Sequence, residues 1–340
     1  MPTRRIAIWL AAAAGLATAG CQLEEASRQQ AVDHFVRGQL LADGGDTEAA
    51  LKELAEAIKS DPDLSVAHSA IGDIHRKRGD YQLARQSYQT ACQVNPYSFR
   101  PHYNLGVVYQ VLADAAETIE RGREYLREAV GTYLRATLLD PEDFETNLNL
   151  SACYFSLGKT ALAEKHCKAA IALKPDNPQA HSNLGIIYDS QGRTYQAIKA
   201  YKDSLELDVH QPKLLMNLGA AYLGQGRLGS ALKAFELATR EDPNSAAVWE
   251  QLATCHYHRK ELDLALKAYR KATSLDPRNA AAHRGIGVVY MTRFVTDRKK
   301  VELRDKALAA WHVSLELKPN QEDIVRLVRK YTPKVTGPDL

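Results

Sequence analysis

The sequence predicts an all-α solenoid of about eight helical hairpins, closed at its C-terminal end by one further helix. Three observations carry this reading. The 340-residue chain resembles itself every 34 residues from Ala31 onward. Each copy places small residues at repeat positions 8 and 20, flanked by aliphatics and aromatics at positions 7, 11 and 24. Most copies carry a proline at position 32. Such a period marks an array whose single units cannot bury their apolar faces alone.

Residues 1–20 read as an address. Arg4 and Arg5 make a positive start, and Ile6 to Gly20 run without a charge. That stretch is short for a bilayer span and suits a signal-peptide core. It ends Leu16-Ala17-Thr18-Ala19-Gly20-Cys21, small residues before a cysteine. The ending resembles the bacterial lipobox, with Thr18 where leucine is usual. The resemblance implies a lipidated Cys21 as the mature N-terminus. Gln22, which is not aspartate, implies the outer membrane, facing the periplasm, with the cytoplasmic membrane or secretion as alternatives. Residues 21–30 would then be the lipidated cysteine and a short tether.

The repeats span 31–64, 65–98, 99–143, 144–177, 178–211, 212–245, 246–279 and 280–319. The fifth copy gives Leu184, Gly185, Tyr188, Ala197 and Tyr201; the sixth gives Leu218, Gly219, Tyr222, Ala231, Phe235, Ala238 and Pro243. This pattern resembles the tetratricopeptide repeat (TPR), whose fold is a right-handed superhelix of such hairpins. Small residues let two helices cross closely, and the large residues fill the space on either side. The proline cannot continue a helix and pushes its predecessor out of the α region. Gly79, Gly158, Gly192 and Gly226, at position 15, are expected to end the first helix in a left-handed cap.

Copies three and eight are longer than the others by eleven and eight residues, inserted between their helices. Asp114 to Glu128 reads as helical, and Thr296 to Asp305 as charged. Residues 320–331 read as a capping helix that turns Ile324, Leu327 and Val328 inward, and 332–340 as a loose tail.

Several chemistries are excluded. Lys and Arg total 44 against 41 for Asp and Glu, so the basic stripe of a nucleic-acid binder is missing. No CxxC pair occurs, and no metal or cofactor is expected. Little chain lies outside the repeats, so a catalytic domain has no room and the reading is non-enzymatic. His34, His68, His102, His181 and His283 all occupy position 4, where the TPR consensus has tryptophan. They read as structural, because one histidine per hairpin is too sparse for shared metal ligation. Cys153 and Cys167 read as buried thiols.

Rotation by about 100° per residue sets the remaining face of each first helix. Positions 4, 7, 8 and 11 point to the partner helix, and positions 2, 5, 6, 9, 12 and 13 point elsewhere. In TPR proteins that second face lines a concave groove. The groove candidates are Arg100, Tyr103, Asn104, Asn149 and Phe155 in the first half, then Asn183, Ile186, Lys213, Met216, Asn217, Tyr257 and Arg284. The mixture of apolar, aromatic and polar residues suits an extended peptide or a partner helix. Asn104, Asn149, Asn183 and Asn217 share position 6. They resemble the asparagine ladder with which other TPR superhelices bind a peptide backbone; inheritance by repeat duplication is the alternative. On either account they are expected to point away from the core.

The resemblance extends to bacterial TPR lipoproteins of two kinds, pilotins for type IV pilus secretins and adaptors of peptidoglycan hydrolases. It implies a scaffold that binds a protein or peptide partner. A carbohydrate- or peptidoglycan-binding module and a regulatory subunit of an envelope enzyme are the alternatives.

Overall fold

The computed structural model describes residues 25–333. Cys21 and the proposed leader lie outside the described residues, as does the tail from 334. Seventeen helices and no strand occur among the described residues. None is long and apolar enough to cross a membrane.

The chain divides into two units, ending and beginning at Pro175 and Asp176. The first holds α1 (25–43), α2 (Thr47–Ser60), α3 (Ser65–Arg78), α4 (Tyr81–Val94), α5 (Phe99–Asp114), α6 (Ile119–Leu139), α7 (Phe144–Ser156) and α8 (Thr160–Leu173). The second holds α9 (Pro178–Ser190), α10 (Thr194–Leu207), α11 (Pro212–Gly224), α12 (Leu228–Glu241), α13 (Ala246–His258), α14 (Leu262–Leu275), α15 (Ala280–Thr296), α16 (Val301–Leu317) and α17 (Glu322–Tyr331). Within each unit, from α3 on, the two helices of a hairpin pack mainly on each other, and the second helix then packs on the next helix along the chain.

One correction concerns the N-terminal side. Residues 25–30, read as tether, belong to α1. Their run of Glu, Ala, Ser, Arg and Gln has fair helix propensity, and the Ser27 hydroxyl donates to the Ser60 carbonyl at 2.6 Å.

The hairpin crossings follow from the small residues. A Cβ built on Gly185 would lie 2.3 Å from the Tyr201 ring, and one on Gly287 would lie 2.3 Å from the Trp311 ring. Both large side chains are 1% exposed, so neither ring can swing aside. Hairpin turns without an insertion end on a left-handed residue, as at Gly79 with φ +83°. In the seventh repeat that residue is Lys260, at φ +62°.

The turns between repeats rest on the residue before the proline. Asp61, Asn95, Asp140, Asp242 and Asp276 each accept a backbone N–H two residues on, at 3.1–3.2 Å for four of them and 2.9 Å for Asp276. This Asx turn also holds where proline is missing. Asp208, followed by Val209, accepts from the His210 N–H at 2.9 Å.

Position 4 makes a second link across the same turn. His68 Nε2 donates to the Pro62 carbonyl at 3.0 Å, His102 to Pro96 at 3.2 Å and His283 to Pro277 at 3.0 Å. Trp249 Nε1 reaches Pro243 at 2.9 Å, and Asn147 Nδ2 reaches Pro141 at 3.4 Å. Three side-chain types thus deliver an N–H to one carbonyl. His34 stands in the first repeat and instead meets Glu53 Oε2 at 2.8 Å.

Both insertions lengthen helices. α5 and α6 run 16 and 21 residues, and α15 and α16 run 17 each, against 13 or 14 in the neighbouring hairpins. At the C-terminal end α17 buries Ile324 and packs Leu327, Val328 and Tyr331 on the last hairpin. Cys153 and Cys167 are buried thiols, and burial pushes them up to about 12 and about 11.

Candidate binding surface

In the first unit the faces of α1, α3 and α5 meet around a cleft of about 130 Å³. Its apolar wall includes Phe35, Val66, Ala70 and Pro101, and its polar wall Ser69, Asp73 and Arg100. Asp73 organises the polar side. Its Oδ1 accepts from the Tyr88 hydroxyl at 2.6 Å and from Asn104 Nδ2 at 3.0 Å, and its Oδ2 from Arg100 at 3.0 Å. Arg100 is mostly exposed and keeps further donors at the mouth of the cleft. The Ser69 hydroxyl is buried beneath the wall without a hydrogen-bond partner.

Tyr103 lies beside this group, stacked on Phe99 at 5.9 Å and tilted against Tyr133 at 6.0 Å. Burial raises its phenol above the ordinary value, helped by Glu145 and Asp143 and opposed by a hydrogen bond from Asn149. Phe155 is half-buried on α7.

Asn104 differs from the expectation that position 6 points away from the core. Asn104 is 8% exposed. Position 6 lies on the seam between successive first helices, where an amide meets side chains of the preceding hairpin. Asn104 bonds Asp73, and Asn149 is half-buried. In the second unit Asn183 is half-buried and accepts from Gln179 Nε2 at 2.7 Å; Asn217 is half-buried.

The other candidates of the second unit are spread along its first helices. Lys213 and Arg284 are exposed, and Ile186 is half-buried. Met216 packs against clusters that contain Phe235 and Val248. The Tyr257 hydroxyl lies 3.2 Å from Thr292 Oγ1. Glu250, at position 5 of the seventh repeat, stands among them. Glu250 bonds Thr254 and Gln251, and burial raises its carboxyl against the pull of Thr254 and Arg284. Asp73 was missed by sequence reasoning. The available signal was an acid at position 9 followed by Arg100 at position 2 of the next repeat.

A second cleft of about 310 Å³ lies on α15, α16 and α17, between Val288, Met291, Val295, Trp311 and Leu327. Among the described residues no cluster of three His, Cys, Asp or Glu side chains could hold a metal ion.

Residues 5–288 match the family described as the cilia and flagella-associated protein 70 C-terminal domain, a TPR family. The chain belongs to that family. Among curated TPR proteins, tetratricopeptide repeat protein 37 of Xenopus laevis is 25% identical over 128 residues. That stretch is 38% of this chain and 8% of the relative's own length. The TPR fold is shared with solved structures. The Cut9–Hcn1 hetero-tetramer of the APC/C aligns with a TM-score of 0.55 at 17% identity, covering 84% of this chain and 52% of that one. YrrB, described as a TPR protein with an unusual peptide-binding site, aligns at 0.50 and 20%, covering 58% and 97%.

Proposed function

We propose that this TPR protein is a non-enzymatic adaptor, held at a bacterial envelope membrane by lipid on Cys21, that binds an extended segment of a partner protein. The cleft on α1, α3 and α5 carries the binding reading. It pairs an apolar wall with an exposed guanidinium fixed by Asp73, and side chains at positions 2, 5 and 9 of successive repeats form it. Alternating apolar and polar contacts along a row of helices suit an extended chain, whose side chains and peptide groups need both.

A photo-crosslinking residue in place of Val66, in full-length protein, tests the groove. Val66 is 49% exposed on the cleft wall. The same residue in place of exposed Gln86 on α4 is the control. A partner captured at position 66 and not at 86 supports the reading, and equal capture at both overturns it. Mass spectrometry of that partner sorts the finer roles. A secretin subunit makes the chain a pilotin-type factor, a wall hydrolase makes it a hydrolase adaptor, and recovered glycan makes it a carbohydrate module.

The anchor rests on the small residues before Cys21 and the uncharged run ahead of them. Globomycin treatment or Cys21→Ala should block processing of the leader. A Cys21→Ala chain that is still processed and still sediments with membranes would sink the anchor while leaving the groove untouched.

A further inference from the structure

Position 10 of a first helix faces the preceding hairpin. In the second, third and fourth repeats it holds Ile74, Val108 and Cys153, which are 3%, 0% and 0% exposed. Ile74 joins Ala50, Leu54 and Ala57 of α2 in one cluster. The same position in the first repeat holds Leu40, which is 67% exposed. Val36 and Val32, one and two turns earlier, are 48% and 43% exposed. α1 thus presents an apolar stripe at i, i+4 and i+8, built as later repeats build a covered seam. An array end in water needs a polar outer face. α17 supplies one at the C-terminal end, with Ile324 inward and Arg326, Arg329 and Lys330 outward. α1 does not.

We propose that a second copy of the chain covers this stripe, the two α1 helices packing antiparallel about a two-fold axis near Val36. Charge favours that occupant and that direction. Asp33 and Arg37 are both exposed and lie one turn apart on the same flank of the stripe. Arg37 Nε donates to the Asp33 carbonyl at 3.3 Å and approaches Glu53 at 3.5 Å, and Nη2 contacts His34, so Nη1 keeps its donors; Asp33 Oδ1 accepts from Gln29 at 3.0 Å, and its Oδ2 keeps its lone pairs. In an antiparallel helix pair each flank faces its own counterpart. Asp33 of each copy then meets Arg37 of the other, and symmetry makes the contact twice. A parallel pair would set this flank against Phe35 and Gln39, which offer no charge. A contact about a two-fold axis is isologous and closes at two copies instead of growing a filament.

Sedimentation velocity of the full chain over a wide concentration series, with its N-terminus read by intact mass, tests this. The expected result is a reversible dimer. Leu40→Lys should abolish it without changing the helical spectrum, since Leu40 is exposed. Asp33→Arg and Arg37→Asp should each weaken it by about tenfold or more, and the double exchange D33R/R37D should restore it. A monomer at every concentration overturns the proposal. So does a dimer that survives Leu40→Lys, or a double exchange no stronger than either single. Residues 1–20, if retained, are the competing cover. A monomer whose α1 crosslinks to that segment assigns the stripe to them and refutes the second copy.

Discussion

The Asn104 amide donates to the Asp73 carboxylate at 3.0 Å, across the seam between two hairpins. A bond to an ionised partner contributes more than a neutral one. Asn104→Ala should therefore lower stability by about 1–2 kcal/mol, even though alanine is the better helix former. Asn183, whose bond to Gln179 is exposed, should tolerate alanine within about 0.5 kcal/mol. Urea titration of the two variants separates a structural amide from a dispensable one. Equal midpoints would show that the Asp73 bond contributes nothing net.

Two glycines should respond to alanine with opposite signs. Gly131 lies on the exposed side of α6 with nothing within 4 Å of an added Cβ. Gly131→Ala should stabilise by up to about 1 kcal/mol through helix propensity. Gly185 gains the same term but drives its Cβ into the buried Tyr201 ring. Overpacking of about 1–3 kcal/mol should outweigh it. Thermal melts give the signs. Hydrogen exchange should confine the Gly185→Ala loosening to α9, α10 and their neighbours in the second unit, as stacked repeats require.

Lys260 holds a left-handed backbone where sister turns have glycine. That conformation costs an L-residue roughly 1–2 kcal/mol, and glycine gives back part of the difference in unfolded-chain entropy. Lys260→Gly should stabilise by about 0.5–1 kcal/mol. An unchanged urea midpoint would place a compensating contact on the lysine.

Acid should weaken the fold through two histidines. Burial holds His102 and His166 below the ordinary imidazole value. The unfolded chain then binds protons more readily than the folded one, so stability falls as pH drops below about 6.5 and levels off below the folded values. His102→Asn removes one titrating ring while keeping a donor, as Asn147 does in the next repeat. Its melting temperature should fall less steeply between neutral and mildly acid pH. A slope as steep as wild type would assign the acid sensitivity elsewhere.

Much of the fold could be read from the residues. The period from Ala31, the small residues that meet Tyr201 and Trp311, and the helical insertions around Asp114 are local patterns, each with one physical cause. The seam was harder to read. Rotation about one helix axis tells where Asn104 points relative to its own hairpin, but not that Asp73 arrives from the previous one. That contact depends on the stagger of neighbouring repeats, and no single period encodes it. That residues 25–30 belong to α1 was missed because the repeat pattern begins at Ala31, and these residues carry no periodic apolar signal.

The donor at position 4 has a consequence for how such arrays drift. Histidine, tryptophan and asparagine differ in size and apolarity, yet each presents an N–H to the same proline carbonyl. What persists from copy to copy is a donor at a fixed place, not a side chain. A repeat search keyed to residue identity at position 4 will undercount such repeats. One keyed to hydrogen-bonding capacity would recognise them after the tryptophan is gone.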